Sequence, residues 1–194
     1  MPVITEDNLK FDFAAPITAV KYDDTRWKNK HFGHYSAMDI LARDHQQQWW
    51  IEIKDCAGAE SNNRLRLSPA EPDAVERTRN WVDAEGLKAE VRVSRRKPFI
   101  IDELVQKLRS TLVGCTLAKI QADTEVSPFH LAENDAPLIV VLYLTWEGTD
   151  FGRLARGLNT KLEKALAPYG WRGFIVNDST QLRQVGINCT VTRT

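Results

Sequence analysis

Hydrophobic and polar positions alternate along Ala37-Met38-Asp39-Ile40-Leu41, and again along Trp49-Trp50-Ile51-Glu52-Ile53-Lys54-Asp55. Alternation of period two marks a strand with two unlike faces. With the turn centred between His45 and Gln46, the two runs form a hairpin that sets Asp39 opposite Glu52, Ile40 opposite Ile51 and Met38 opposite Ile53. One face is then apolar, and the other carries Asp39, Glu52 and Lys54. A slip of one residue would exchange the faces, so burial of the isoleucines holds the register. His45-Gln46 does not suit a two-residue turn, which favours Asn-Gly, and the pattern predicts a four- to six-residue loop within Arg43 to Gln48.

The remaining pattern alternates strands with helices. Ile17 to Tyr22 reads as a strand, followed by Asp23 or Asp24 as the cap of a helix over Thr25 to Phe32 that Gly33 stops. Asp55 to Leu67 is polar and reads as a mobile loop. Pro72 opens a helix running to Ala84, with Ala74, Thr78, Trp81 and Val82 toward the core, and Leu87, Ala89, Val91 and Val93 then alternate as a strand with one wet face. From Asp102 to Gln121 a helical stripe runs through Ile101, Leu104, Val105, Leu108, Leu112 and Cys115, with Asp102 and Glu103 suiting the positive end of the helix dipole. Pro137 to Trp146 is nearly all apolar, as an interior strand covered on both faces would be. A helix over Phe151 to Ala167 and strands at Gly173 to Val176 and Val185 to Thr192 complete the chain. This order predicts an α/β fold, a three-layer α/β/α sandwich around a mixed β-sheet, formed by a single domain over residues 1–194 with a helix–strand insertion at about 57–100.

Composition narrows the function classes. Lys plus Arg equals Asp plus Glu, 26 of each, so no overall field draws the chain onto nucleic acid, and any such attraction must come from a local patch. Cys56, Cys115 and Cys189 are odd in number and widely spaced, which reads as free thiols in a reducing compartment. Met1 to Ala15 has no signal-peptide apolar core and no later segment reaches the length of a membrane span, so the expectation is a cytoplasmic protein with no membrane partner. There is no Gly-rich phosphate loop and no Gly-x-Ser-x-Gly, and His31-x-x-His34 lacks the further ligands of a zinc site.

Two carboxylates facing each other across a strand pair repel, so a positive group belongs between them. A hard cation such as Mg²⁺ is held by one or two carboxylates, waters and substrate phosphate oxygens, which suits Asp39 and Glu52 with the Ile53 carbonyl as a third ligand. Lys54 points the same way and reaches a phosphate or an attacking water. The alternative is an ordinary solvated sheet face.

Met38-Asp39, twelve intervening residues, Glu52-Ile53-Lys54 and a later helix bearing Gln106-Lys107 resemble the PD-(D/E)XK nuclease superfamily, although Met38 stands where the family name has proline. The resemblance covers about Tyr22 to Ile120 and implies a restriction-endonuclease-like fold. It implies Asp39 and Glu52 as ligands of Mg²⁺, with Mn²⁺ able to substitute, Lys54 as the catalytic lysine, and Gln106 or Lys107 as a helical contributor. Asp23 or Asp24 would add an acidic group, unless it is only a helix cap. The densest basic stretch, Arg92, Arg95, Arg96 and Lys97, together with Arg64 and Arg66, would grip a phosphate backbone or else form a solvated face. Trp27, Trp49 and Trp50 would stack on bases or fill the core. The expected activity is that of a hydrolase, a metal-dependent nuclease or endonuclease acting on nucleic acid, chiefly DNA. The alternative is an inactive nuclease-like subunit that binds or assembles with a partner protein or a second copy.

Overall fold

The computed structural model describes residues 1–132 and 137–194. Its centre is a five-stranded mixed sheet in the order β3-β4-β5-β6-β7. Strands β3 (Thr18–Lys21), β4 (Ile40–Arg43) and β5 (Gln48–Asp55) are antiparallel, whereas β6 (Ile139–Thr145) and β7 (Arg172–Val176) continue the sheet in parallel. A parallel neighbour requires a long crossover. Residues 56–138 make the first of these and carry helices α2 (Glu60–Arg64), α3 (Asp73–Ala84) and α4 (Ile100–Ile120); α5 (Phe151–Leu166) makes the second. All seven residues of β6 are buried, as its unbroken apolar run requires.

The hairpin register is the one its pattern predicts: Ile40 pairs with Ile51, Leu41 with Trp50, and Arg43 with Gln48. The loop is residues 44–47, closed by an Asp44 N–H to Gln47 O bond and by the Asp44 carboxylate, which accepts from the Gln46 and Gln47 amides at 2.7 and 2.8 Å. The ladder ends at Ile40, however, so neither Asp39 with Glu52 nor Met38 with Ile53 forms a ladder pair. Met38 turns to the helical side, where its N–H donates to Thr111 Oγ1 at 3.0 Å.

Helices cover one face of the central sheet. Leu104, Leu108 and Cys115 of α4 and Leu158 and Leu162 of α5 pack with Trp50, Val140 and Leu142 of the sheet, joined by Trp27 of α1 (Arg26–Phe32). The α/β architecture around a mixed sheet is the one the element order predicts, but a second sheet covers the other face where a helical layer is expected. Strands β1 (Val3–Glu6), β2 (Leu9–Phe13) and β8 (Cys189–Arg193) form an antiparallel sheet in the order β1-β2-β8. Leu9, Phe11 and Phe13 alternate with Lys10 and Asp12, and Asp7, at φ 49°, makes the tight turn before them. Phe11 and Phe13 meet Ile40, Ile51 and Val141 there, and the Phe11 ring stands edge-on to Tyr143 at 5.2 Å. Among the described residues only a short helix, α6 (Ser179–Gln184), joins that layer, because little chain separates β7 from β8.

Other boundaries shift for local reasons. Thr25 caps α1, its side chain accepting from the Lys28 amide, while Tyr22–Asp24 form a 3₁₀ turn in place of the expected aspartate cap. Leu87 to Val93 is not a strand, since its backbone bonds within local turns, Glu90 and Val91 N–H both donating to the Leu87 carbonyl. In α3 only Val82 is buried; Ala74, Thr78 and Trp81, read as core, face outward. Val185 caps α6 and the last strand begins at Cys189. Cys56, Cys115 and Cys189 are buried free thiols, and no helix among the described residues is long and apolar enough to cross a membrane.

Candidate functional site

Strand β5 sends Glu52 and Lys54 toward the helices, since residues two apart share a face. Asp39 sits just before β4, and the Ile53 amide of β5 donates to its Oδ2 at 2.6 Å, which places the carboxylate beside Glu52 beyond the end of the ladder. Helix α4 lies across them with Glu103 and Lys107 one turn apart on the same side. Lys107 Nζ is 3.2 Å from Asp39 Oδ1 and 2.7 Å from Glu52 Oε1, and Lys54 Nζ is 2.5 Å from the same Glu52 oxygen and 3.3 Å from Glu103. Glu103 is also paired with Arg66.

The two carboxylates are buried, Asp39 at 5 % exposed and Glu52 at 1 %, while the lysines and Glu103 are half-buried. The face that carries them is therefore not the open, solvated face of an ordinary sheet. Burial, with the Asp39 charge beside it, pushes the Glu52 carboxyl up to about 7 despite the two ammoniums. Burial alone would lower the Lys54 ammonium, but the Glu52 carboxylate, with Glu103 and Asp39, holds it above its ordinary value. For Glu103 burial acts upward, and Lys54 and Arg66 bring it below the usual carboxylate range.

A second acidic group adjoins the first. Carboxylate oxygens of Glu6, Asp23 and Asp39 lie within 4.8 Å of one another, and these three can hold a metal ion. Burial, followed by Glu6 and Asp39, pushes the Asp23 carboxyl up to about 6. Lys21 Nζ neutralises part of this charge, at 3.0 Å from Glu6 and 2.8 Å from Asp24. Asp23 Oδ1 and Glu52 Oε2 are buried with no hydrogen-bond partner among the described residues. Acceptors left so at the edge of an acidic cluster suit the donor set of a hard cation.

The structure thus gathers Asp39, Glu52, Lys54, Lys107 and Asp23, and separates others from them. Gln106 lies on the exposed side of α4, and Asp24 is exposed and paired with Lys21. Ile53 adds its N–H to Asp39. Between Asp39 and Glu52, where the sequence suggested a cation, stands the Lys107 ammonium. Glu6 and Glu103 had escaped sequence reasoning. Glu6 comes from a strand of the other sheet, while the i,i+4 spacing of Glu103 and Lys107 was the available signal for the second.

Three of the six expected phosphate-gripping residues are engaged within the protein. Arg64 pairs with Asp150 at 3.1 Å and lies 5.6 Å over the Trp146 ring, Arg66 pairs with Glu103, and Arg95 donates to the carbonyls of Ser68, Pro69 and Ala70. Arg95 therefore ties down the chain before α3, while Arg96 and Lys97 are exposed. Trp27, Trp49 and Trp50 are core residues, none more than 6 % exposed. Comparison of the chain with protein-family models, with curated proteins and with solved structures finds no match in any of the three.

Proposed function

We propose that the chain is a metal-dependent nuclease of the restriction-endonuclease-like kind, hydrolysing phosphodiester bonds of nucleic acid. The observation that carries this reading is the buried pair of Asp39 and Glu52 with half-buried Lys54 under α4, one Glu52 oxygen having no partner among the described residues. Holding ions there costs several kcal/mol each, more than a fold needing only stability would spend on one spot. Asp39, with Glu6 and Asp23 beside it or Glu52 across from it, would hold the metal. A bound Mg²⁺ or Mn²⁺ would polarise a phosphate oxygen and lower the pKa of a water. Lys54 would offset charge developing on the phosphate, and Glu103, 3.3 Å away, keeps its ammonium aimed at the site.

A second reading is supported by Lys107, whose ammonium already joins Asp39 to Glu52. On that reading the chain is an inactive nuclease-like subunit that binds or assembles with other molecules. A cleavage assay on single- and double-stranded DNA and RNA with Mg²⁺, Mn²⁺ or EDTA separates the two. The nuclease reading expects EDTA-sensitive cleavage that Glu52→Gln and Lys54→Ala each abolish while circular dichroism stays unchanged. Cleavage that survives EDTA refutes the metal mechanism, and absence of cleavage under every condition favours the second reading.

A further inference from the structure

Beside the acidic site, the segment containing Arg64 and Leu67, the start of α4 at Phe99 and the exposed side of α5 enclose a groove of about 300 Å³. Its floor is apolar, made by Leu67, Phe99, Leu154 and Leu158, and its rim carries Arg64, Arg153 and Lys161. The acid on that rim, Asp150, is held by Arg64 at 3.1 Å and by the Trp146 Nε1–H at 3.0 Å, with Arg153 farther off at 3.8 Å and its side chain 80 % exposed. Helix α5 as a whole bears Arg153, Arg156, Lys161 and Lys164 against the single acid Glu163. In a chain whose charges balance overall, this is a local concentration of cations.

Arg153, Gly157 and Lys161 are four residues apart and form one stripe along the groove. Within a helix a glycine costs about 1 kcal/mol relative to alanine. A Cβ on Gly157 would meet nothing within 4 Å, so packing does not require the glycine. Its bare backbone does let a ligand approach the helix between two cations. The groove also adjoins the acidic site, because the turn that supplies Arg64 and Leu67 to its wall sends Arg66 to Glu103, the partner of Lys54.

We infer that this groove binds a single strand of nucleic acid, with phosphates at Arg153 and Lys161 and a base face against Leu154 and Leu158. An apolar floor bordered by cations matches a strand whose bases are unstacked; in a duplex those faces are hidden. The inference rests on the nuclease reading for its ligand class, and its test works without cleavage. Fluorescence anisotropy of a labelled single-stranded oligonucleotide and of its duplex would be measured in EDTA at several salt concentrations. The protein would be wild type, Gly157→Leu, or the Arg153→Ala/Lys161→Ala double variant. Gly157→Leu fills the groove where no neighbour stands in the way and substitutes a better helix former, so its melting temperature serves as the folding control.

The expected result is that the wild type prefers the single strand and that each variant binds it at least roughly tenfold more weakly, a loss of about 1.4 kcal/mol. In the double variant the slope of log affinity against log salt should also fall by roughly 1.4, two phosphate contacts at about 0.7 each. Equal binding by wild type and variants, a preference for duplex, or binding only of an acidic peptide in place of the oligonucleotide would each overturn the inference. Groove binding without cleavage removes the nuclease reading alone, and cleavage that groove variants retain undiminished removes the groove alone.

Discussion

Replacing Lys107 with methionine keeps the apolar stem and deletes the ammonium between Asp39 and Glu52. The side chain is 14 % exposed and its Nζ lies 3.2 and 2.7 Å from the two carboxylates. Removing one partner of a buried ion pair costs roughly 3–5 kcal/mol, mostly because the other charge is left behind. Two contacts bring the cost here to the lower end: Lys54 stays 2.5 Å from Glu52, and the Ile53 amide stays on Asp39. The loss should be about 3 kcal/mol, which in a chain of this length lowers the melting temperature by roughly 6–12 °C. It should also depend on pH. The Glu52 carboxyl is raised from 4.5 to about 7 in the fold, so its contribution to stability is best when it is protonated and declines as pH rises through that interval. Without Lys107 it rises further, and the deficit should be smaller near about pH 6 than above about pH 8. A divalent cation should restore part of the loss, about 2.7 kcal/mol at a hundredfold excess over its dissociation constant. Differential scanning calorimetry at both pH values, with Mg²⁺ and with EDTA, measures all three effects. A variant that melts with the wild type throughout would show that the two carboxylates do not depend on Lys107 and would refute the reasoning.

Gly114→Ala should destabilise the protein by about 1–3 kcal/mol in a denaturant titration, because the new Cβ would stand 2.1 Å from the buried Tyr22 hydroxyl; an unchanged midpoint would mean that α4 shifts freely. Arg193→Ala should flatten the acid limb of the stability curve. Burial would raise the Asp55 carboxyl, but Arg193 and Thr145 hold it below 3.8, so its stabilisation is present above that pH and is lost as pH falls. Wild type and variant should therefore differ most near neutrality and converge in strong acid, and parallel curves would dismiss the pair as a link between the two sheets.

Much of this protein is legible in its sequence where one pattern has one solution. The β4–β5 register follows from burial of Ile40 and Ile51, because a one-residue slip would exchange every face. The long stripe of α4 and the apolar run of β6 likewise admit one kind of element each, so both stand where periodicity places them. Glu52 and Lys54 share a side for the same reason of period two, whereas Asp39, beyond the end of the ladder, joins them through the Ile53 amide. Only the tertiary structure decides what meets them there. Local pattern says that a helix has an apolar face, not which sheet face it will cover, and so Lys107 and Glu103 reach the carboxylates while Gln106 faces away. The same limit applies to Glu6, brought to Asp23 and Asp39 by a strand of the second sheet, and to Arg64, Arg66 and Arg95, whose partners lie far along the chain. A charge in a sequence has a sign but no partner; burial and distance, which fix its pKa and its use, exist only once the chain has folded.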